Sequence, residues 1–324
     1  MKQIGFTAPG TYATAIAANW LNADTEALIL TRNSSGALRQ TCTRDHRPIK
    51  YTDDPEDLRS TDAVVAARAT AGIAKDVAML PKGIPVISTM KGMCPNGLTA
   101  AEILDRGDKN STVVLSGPSI ASDMADASAV FRVALAGTND LREHVAQLFD
   151  PERVTFYPTP DRMGTELLGI MKNVSAIAYG IVGACDGVLN GETTNITQIL
   201  GDLVQVVLGD MQEILRMIGS RLDPSEHPGG LADYHVTCEK GRNKEVGRII
   251  GSAARKSVDI NKSVEESKIT SEGYYSLPGL QMFCSLYGRV PPYLLRWVDA
   301  VVSRKMQIAD SVFSLKTKIE SMRE

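Results

Sequence analysis

The sequence is short of several features that would point to particular functions. It has no excess of one charge: 35 Lys and Arg stand against 38 Asp and Glu, a net charge of −3. That balance gives no electrostatic reason to expect nucleic acid or an acidic membrane surface as partner. No apolar run is long enough to span a bilayer. The opening Met-Lys-Gln-Ile-Gly-Phe runs straight into a strand-like segment, without the apolar core of a signal peptide. The five cysteines, Cys42, Cys94, Cys185, Cys238 and Cys284, are scattered and contain no CxxC pair. Reduced thiols in a cytoplasmic protein are the expectation. The four histidines, His46, His144, His227 and His235, are equally scattered, which argues against zinc, and no metal is expected. Internal repeats and low-complexity segments are missing too.

The rest of the composition is that of a soluble globular protein, with 43% hydrophobic and 23% charged residues. A chain of 324 residues exceeds most single cores, so two domains are expected. Short apolar runs at Ile4–Phe6, Ala27–Leu30, Val64–Ala67, Pro85–Ser88, Val113–Leu115 and Val130–Ala136 read as buried strands. Helical patterns at Tyr12–Leu21 and Ala71–Leu80 fall between them. Such alternation predicts a parallel sheet with crossover helices. After Tyr157-Pro-Thr-Pro160 the pattern becomes helical: Glu166–Val182, Thr194–Ile218, Lys244–Ala254, Pro278–Tyr287 and Pro292–Ser321. The expected architecture is therefore a parallel-sheet α/β domain over residues 1–160, followed by a helical domain over 161–324.

The first strand leads into Ala8-Pro9-Gly10-Thr11-Tyr12-Ala13, where a dinucleotide turn would read GxGxxG. Gly10 keeps the place where backbone and phosphate come closest, and the following helix can point its N-terminus at a pyrophosphate. Ala8 before Pro9 is driven toward extended geometry, so the first tight turn must be made in another way. The second strand ends in Leu30-Thr-Arg32-Asn33-Ser34-Ser35. An Arg there, in place of an acidic residue, suits a 2′-phosphate and leans toward NADP over NAD. In the second half, Gly230-Leu-Ala-Asp233-Tyr-His-Val-Thr237-Cys-Glu-Lys-Gly241-Arg242-Asn243 gathers a carboxylate, a hydroxyl, a guanidinium and an amide. The guanidinium and amide suit an anionic phosphate. If the segment is helical, Asp233 and Thr237 share a face. Lys172-Asn173 interrupts an otherwise apolar helical run. A lysine buried there needs a partner, and burial lowers its pKa toward useful proton transfer. The plainer alternatives are a lysine that snorkels to water and a solvated polar helix start.

These pieces, in this order, resemble the NAD(P)-dependent sn-glycerol-3-phosphate dehydrogenases over most of the chain. They are Thr14-Ala-Ile-Ala17; Ser88-Thr-Met-Lys91-Gly92; Leu115-Ser-Gly117-Pro118-Ser119-Ile-Ala121; Gly169-Ile-Met-Lys172-Asn173-Val174; Gly230 to Cys238; Gly241-Arg242-Asn243; and Ser271-Glu272-Gly273. The resemblance implies an α/β Rossmann-type N-terminal domain followed by an all-α C-terminal domain, and hydride transfer between NADP or NAD and a small phosphorylated hydroxyketone, usually in a homodimer. It implies that Lys172 is the catalytic lysine, with Lys91, Asp233 and Thr237 beside it. Asn173, Arg242 and Asn243 would bind the substrate. Ala8, Gly10, Thr11, Tyr12, Arg32, Lys91, Ser119, Ala121, Arg242 and Glu272 would line the cofactor.

The chain departs from the family in three places. The first glycine of the turn is Ala8. Arg68-Ala69-Thr70 stands where a proline before a small polar residue is usual. After Gly187, the segment Gly191–Gly201 lacks the family's Thr-Arg ending. The last departure leaves room for a different phosphorylated or phosphonate-bearing hydroxyketone, or for lost activity. Two further readings stay open: the same fold acting on a 2-keto acid or opine, and a non-catalytic dinucleotide-binding protein.

Overall fold

The computed structural model describes residues 1–31, 49–105, 111–126, 128–185, 188–189, 192–193 and 195–322. It divides into two compact units, one of Met1–Lys91 with Thr99–Glu166, the other of Gly92–Leu98 with Leu167–Glu324.

The first unit is built on one sheet. In chain order its elements are β1 (Lys2–Phe6), α1 (Thr11–Asn19), β2 (Thr25–Leu30), β3 (Lys50–Thr52), β4 (Ala63–Ala66), α2 (Ile73–Val77), β5 (Val86–Ser88), α3 (Ala100–Leu104), β6 (Thr112–Ser116), β7 (Phe131–Ala136), α4 (Asn139–Ala146) and β8 (Val154–Thr159). The strand order is β3-β2-β1-β4-β5-β6-β7-β8. Every pairing is parallel except β6 with β7. Central strands such as β4 and β6 are buried throughout, as a sheet covered on both faces requires. Ile4, Phe6, Ile16, Trp20, Val65 and Leu115 belong to one core cluster. Strands β3 and β8 were not expected from sequence: β3 is only three residues long, and β8 contains Pro158. A proline is tolerated there because β8 is an edge strand. The helix expected over Ala71–Leu80 shrinks to α2 behind a 3₁₀ turn at Thr70–Gly72.

The topology fixes where a ligand can bind. β1 pairs with β2 on one side and β4 on the other, so the strand order reverses at β1. Open parallel sheets bind ligands at this switch point, beyond the carboxyl ends of the strands. Thr7–Tyr12, Ala67–Arg68, Thr89–Lys91 and Gly117–Ser119 all follow such ends.

The second unit carries the later part of α5 (Arg162–Gly183), a two-residue hairpin of β9 (Val188–Leu189) and β10 (Glu192–Thr193), and seven further helices: α6 (Ile196–Met217), α7 (Leu231–Lys240), α8 (Arg242–Arg255), α9 (Ile260–Glu266), α10 (Glu272–Leu286), α11 (Tyr293–Val302) and α12 (Ile308–Ser321). Among the described residues the unit is helical apart from that short hairpin, as expected. The run expected as one helix over Pro292–Ser321 is two, broken where Arg304 takes a left-handed φ of 54°. Helix α10 starts well before Pro278, because Ser271 caps it by accepting from the Tyr274 amide. Residues 92–98 join this unit because they pack on α10. The Met93 amide donates to Ser276 at 2.9 Å, and a Cβ on Gly279 would lie 2.3 Å from the Cys94 carbonyl oxygen.

Helices α5 and α8 cross with their backbones almost touching. A Cβ on Gly180 would lie 2.0 Å from the Lys244 carbonyl oxygen, and one on Gly247 would lie 2.1 Å from the Ile177 carbonyl oxygen. No side chain fits there, so these glycines set the separation of the two helices. Gly247→Ala is expected to destabilise the protein by about 3 kcal/mol or more, since backbone rather than a flexible side chain must yield. A thermal midpoint equal to that of the unaltered protein would contradict this packing.

Two buried carboxyls hold helix starts. Glu166 accepts the Ala101 amide at 2.8 Å, and Asp210 accepts the Tyr293 and Leu294 amides at 3.2 and 2.6 Å. Burial raises the Glu166 pKa from 4.5, and the Asp210 pKa from 3.8, each to about 7. A carboxyl whose folded pKa is raised binds its proton more tightly in the native state. Its contribution is therefore full below the unfolded pKa and is lost as pH rises through about 7. Glu166→Gln should flatten the fall in stability between pH 5 and 7 (approximate limits) in a denaturant titration. An unchanged slope would count against a protonated Glu166.

Candidate active site

At the nucleotide edge, Gly10 caps α1 in an extended conformation (φ −68°, ψ 157°) that any residue can adopt. A Cβ there would meet nothing within 4 Å, so the space in front of the helix start is open. No side chain caps the first turn. The loop therefore offers backbone donors and room for a pyrophosphate, and a dinucleotide fits it. The tight turn that Ala8 cannot make with glycine is held by Arg68, at the second departure from the family pattern. Its guanidinium donates to the Thr7 carbonyl at 2.6 Å and pairs with the fully buried Asp76, also at 2.6 Å. Burial raises the Asp76 pKa while Arg68 opposes the rise. Sequence reading missed this role. The signal for it was an arginine placed directly after a strand of the switch point.

Tyr12, Ser119 and Lys91 come together. The Tyr12 and Ser119 hydroxyls lie 2.7 Å apart, and Ser119 donates to the Gly117 carbonyl at 3.2 Å. Lys91 donates to that same carbonyl at 2.8 Å. A Cβ on Gly117 would lie 3.0 Å from the Val133 Cα and would press on β7. Ala121 packs against the core, and Thr11 begins α1. Arg32 lies outside the described residues.

In the helical unit, α5 places Lys172 against α7. Lys172 Nζ lies 3.1 Å from Asp233 Oδ1 and 2.8 Å from Thr237 Oγ1. All three residues are buried, at 6%, 2% and 5% exposure. Thr237 spends its proton on the Asp233 carbonyl at 2.7 Å, which turns its lone pairs toward the lysine. Asp233 and Thr237 share one face of α7, one turn apart. The loop before α7 folds tightly enough to launch it. Leu231 donates to the Pro224 carbonyl at 2.8 Å, and a Cβ on Gly230 would lie 2.1 Å from that oxygen. His227 is buried there, its Nδ1 accepting the Gly229 amide at 3.0 Å. His235 points away: its side chain is 75% exposed. Burial pushes the thiol of Cys238, beside Thr237, up to about 12, which disfavours its thiolate.

Gly241 ends α7 and starts α8 in one step, and a Cβ there would lie 2.2 Å from the Thr237 carbonyl oxygen. Arg242 follows at the first position of α8, exposed to solvent. Asn243 is buried and reaches Asn173, with Nδ2 to Oδ1 at 2.8 Å. Asn243 Oδ1 also accepts from Ser271 at 2.7 Å and from the Gly273 amide at 3.1 Å, which brings Glu272 at the start of α10 to the same place. The helical unit thus gathers Lys172, Asp233 and Thr237 as one group and Asn173, Asn243 and the start of α10 as a second, joined through adjacent residues of α5. Of the divergent segment Gly191–Gly201, Asn195 caps α6 by accepting the Gln198 amide at 3.0 Å. Among the described residues, no group of three His, Cys, Asp or Glu could hold a metal ion, and no helix is long and apolar enough to cross a membrane.

The sequence profile of the NAD-dependent glycerol-3-phosphate dehydrogenase C-terminus matches residues 161–312. The glycerol-3-phosphate dehydrogenase (NAD(P)+) of Synechococcus sp. strain JA-3-3Ab is 31% identical, over 71% of this chain and 73% of the relative. This chain belongs to the NAD(P)-dependent glycerol-3-phosphate dehydrogenase family. A second relative in that family, glycerol-3-phosphate dehydrogenase (NAD(P)+) 2 of Lactobacillus delbrueckii subsp. bulgaricus, is 25% identical over 97% of both chains. The crystal structure of glycerol-3-phosphate dehydrogenase from Coxiella burnetii shares the fold, with a TM-score of 0.76, 19% identity and coverage of 97% and 98% of the two chains.

A buried ion pair is costly to break from one side, because the remaining charge is left without a partner. Lys172→Met is therefore expected to destabilise the folded protein by about 3 kcal/mol, with much of that recovered by adding Asp233→Asn. A double variant no more stable than Lys172→Met would show that the two side chains are not coupled.

Proposed function

We propose that this chain transfers hydride between NADP or NAD and a phosphorylated hydroxyketone, reducing dihydroxyacetone phosphate, or a close analogue, to sn-glycerol 3-phosphate. The observation that carries the proposal is the buried Lys172 ammonium held by Asp233 and Thr237. The bound cofactor supplies the hydride. As hydride reaches the ketone carbon, negative charge builds on the oxygen, and a cation must meet it there. Lys172 is that cation and the proton donor. An ammonium carries three N–H donors, and the ketone oxygen requires one of them. Asp233 and Thr237 aim the nitrogen. Arg242 holds the phosphate and so fixes the ketone relative to the lysine. Asn173 contributes a donor to the substrate.

Ala8, Gly10, Thr11, Tyr12, Ser119 and Ala121 cradle the dinucleotide, with Lys91, Arg32, Arg242 and Glu272 as further contacts. The proposal divides the domains at residues 160 and 161, before α5 begins, and has the enzyme act as a homodimer in the cytoplasm. Cys94, Cys185, Cys238 and Cys284, all free and buried, are compatible with a reducing compartment.

Purified protein should consume NADPH or NADH only when dihydroxyacetone phosphate is added. Lys172→Ala should lower kcat by about 10³ or more. Arg242→Ala should act mainly on KM, raising it about 10²-fold. No turnover with either cofactor across a panel of phosphorylated ketones would reject the proposal, as would an active Lys172→Ala variant.

A further inference from the structure

Helices α6, α11 and α12 enclose a cavity of about 280 Å³ that shares no residue with the catalytic, substrate or cofactor positions proposed above. Three cations line it, one from each helix: Arg216, Arg296 and Lys318. Two of them stand at one ring. Lys318 Nζ lies 5.9 Å, and Arg296 Cζ 6.0 Å, from the centre of the Tyr293 ring, whose hydroxyl is fixed 3.0 Å from that of Ser314. None of the three cations forms an ion pair among the described residues. Arg296 spends Nε on the Pro291 carbonyl at 2.9 Å, which leaves both terminal nitrogens of its fork. Arg216 bonds only Gln212, at 3.3 Å, and the Lys318 ammonium bonds no protein atom among the described residues.

Two carboxyls also border the cavity. Asp210 is engaged, because its two oxygens accept the Tyr293 and Leu294 amides, and burial favours its neutral form. Glu213 then stands alone against three cations, which leaves an excess of two positive charges. Gly209 is a second pointer to a ligand. It lies inside α6, where a glycine costs about 1 kcal/mol relative to alanine. Packing does not demand it, since a Cβ would meet only Met322 Cε, at an ordinary 3.7 Å. What the bare position preserves is the open space.

We propose that this cavity binds a small organic phosphate monoester as its dianion. A phosphate monoester carries roughly −1.5 to −2 near neutral pH, which matches the charge excess on one compact head. The arginine forks can hold its oxygens in pairs, and Lys318 adds a point charge. The space is several times the roughly 30 Å³ share of one water, so a short carbon body fits behind the head. That body would lie against Tyr293, Val206 and Met322, which also line the cavity.

Calorimetry on the full chain tests this, with phenyl phosphate as probe and inorganic phosphate for comparison, at an ionic strength of about 0.02 M. Phenyl phosphate should bind with a Kd of about 1 mM or tighter, and inorganic phosphate about tenfold more weakly, because it lacks the apolar body. Lys318→Met should weaken the probe about tenfold, and Glu213→Gln should tighten it about threefold. Gly209→Leu should fill the cavity and abolish binding, with a thermal midpoint equal to or above that of the unaltered protein, since leucine is the better helix former. A tightening, and a loss without lost stability, cannot arise from unfolding. Arg242→Ala removes the phosphate contact of the proposed active site and should leave this binding unchanged. No binding by the unaltered protein at about 10 mM probe would overturn the proposal. So would binding that Arg242→Ala abolishes, equal affinity for the two probes, or binding retained in both Gly209→Leu and Lys318→Met. Since the cavity and the active site share no residue, either can fail without the other.

Discussion

A buried ammonium sustained by one carboxylate and one hydroxyl governs the helical unit. Lys172 sits at 6% exposure, within 3.1 Å of Asp233 and 2.8 Å of Thr237. A lysine withdrawn from water to that degree needs compensating partners, and removing either would leave the rest unfavourable. The surrounding architecture meets this requirement. Helix α7 must start where it does for Asp233 and Thr237 to share a face, and the close approach of Gly230 to the Pro224 carbonyl allows that start. Gly241 must be small so that α8 can follow at once and set Arg242 and Asn243 beside the same turn. Gly180 and Gly247 must be bare so that α5 and α8 lie backbone to backbone.

The nucleotide-facing unit solves a different problem, which is to present backbone donors at one sheet edge. The parallel strands around β1 deliver several loops to that edge, and the reversal of strand order at β1 opens a crevice there. The turn after β1 departs from the usual glycine pattern at Ala8. Arg68, from the neighbouring strand end, takes over by binding the Thr7 carbonyl and the buried Asp76. Of the two departures from the family pattern at positions 8 and 68, the second thus holds the carbonyl of the residue just before the first.

Much of this was legible in the sequence. The alternation of apolar runs and helical patterns located the first unit, because buried parallel strands have a continuous apolar signature. Lys172 stood out as a charge inside an apolar helix. The ordered motifs tied it to Asp233, Thr237 and Arg242, which neither periodicity nor spacing could have done. The features that were missed depend on tertiary context. Strand β8 hides behind Pro158, which only an edge position permits. Helix α10 seemed to begin at Pro278, whereas the Ser271 cap starts it earlier. Residues 92–98 join the helical unit through the bare backbone of Gly279, a contact with no local signal. The partners of Asn243 were hidden for a similar reason: the residue type announces hydrogen bonding, but only tertiary structure places Ser271 and the Gly273 amide against its oxygen.

The central claim is that the Lys172 nitrogen itself, and not the fold around it, meets the developing charge on the ketone oxygen. Chemical rescue tests this most directly. Lys172→Ala leaves a gap between Asp233 and Thr237 that a small primary amine can fill. Turnover of dihydroxyacetone phosphate by that variant should rise in a saturable way with added methylamine or ethylamine, and should depend on the protonation state and size of the amine. A folded, cofactor-binding Lys172→Ala protein that stays inert with every amine, or that works equally well without one, would contradict the account.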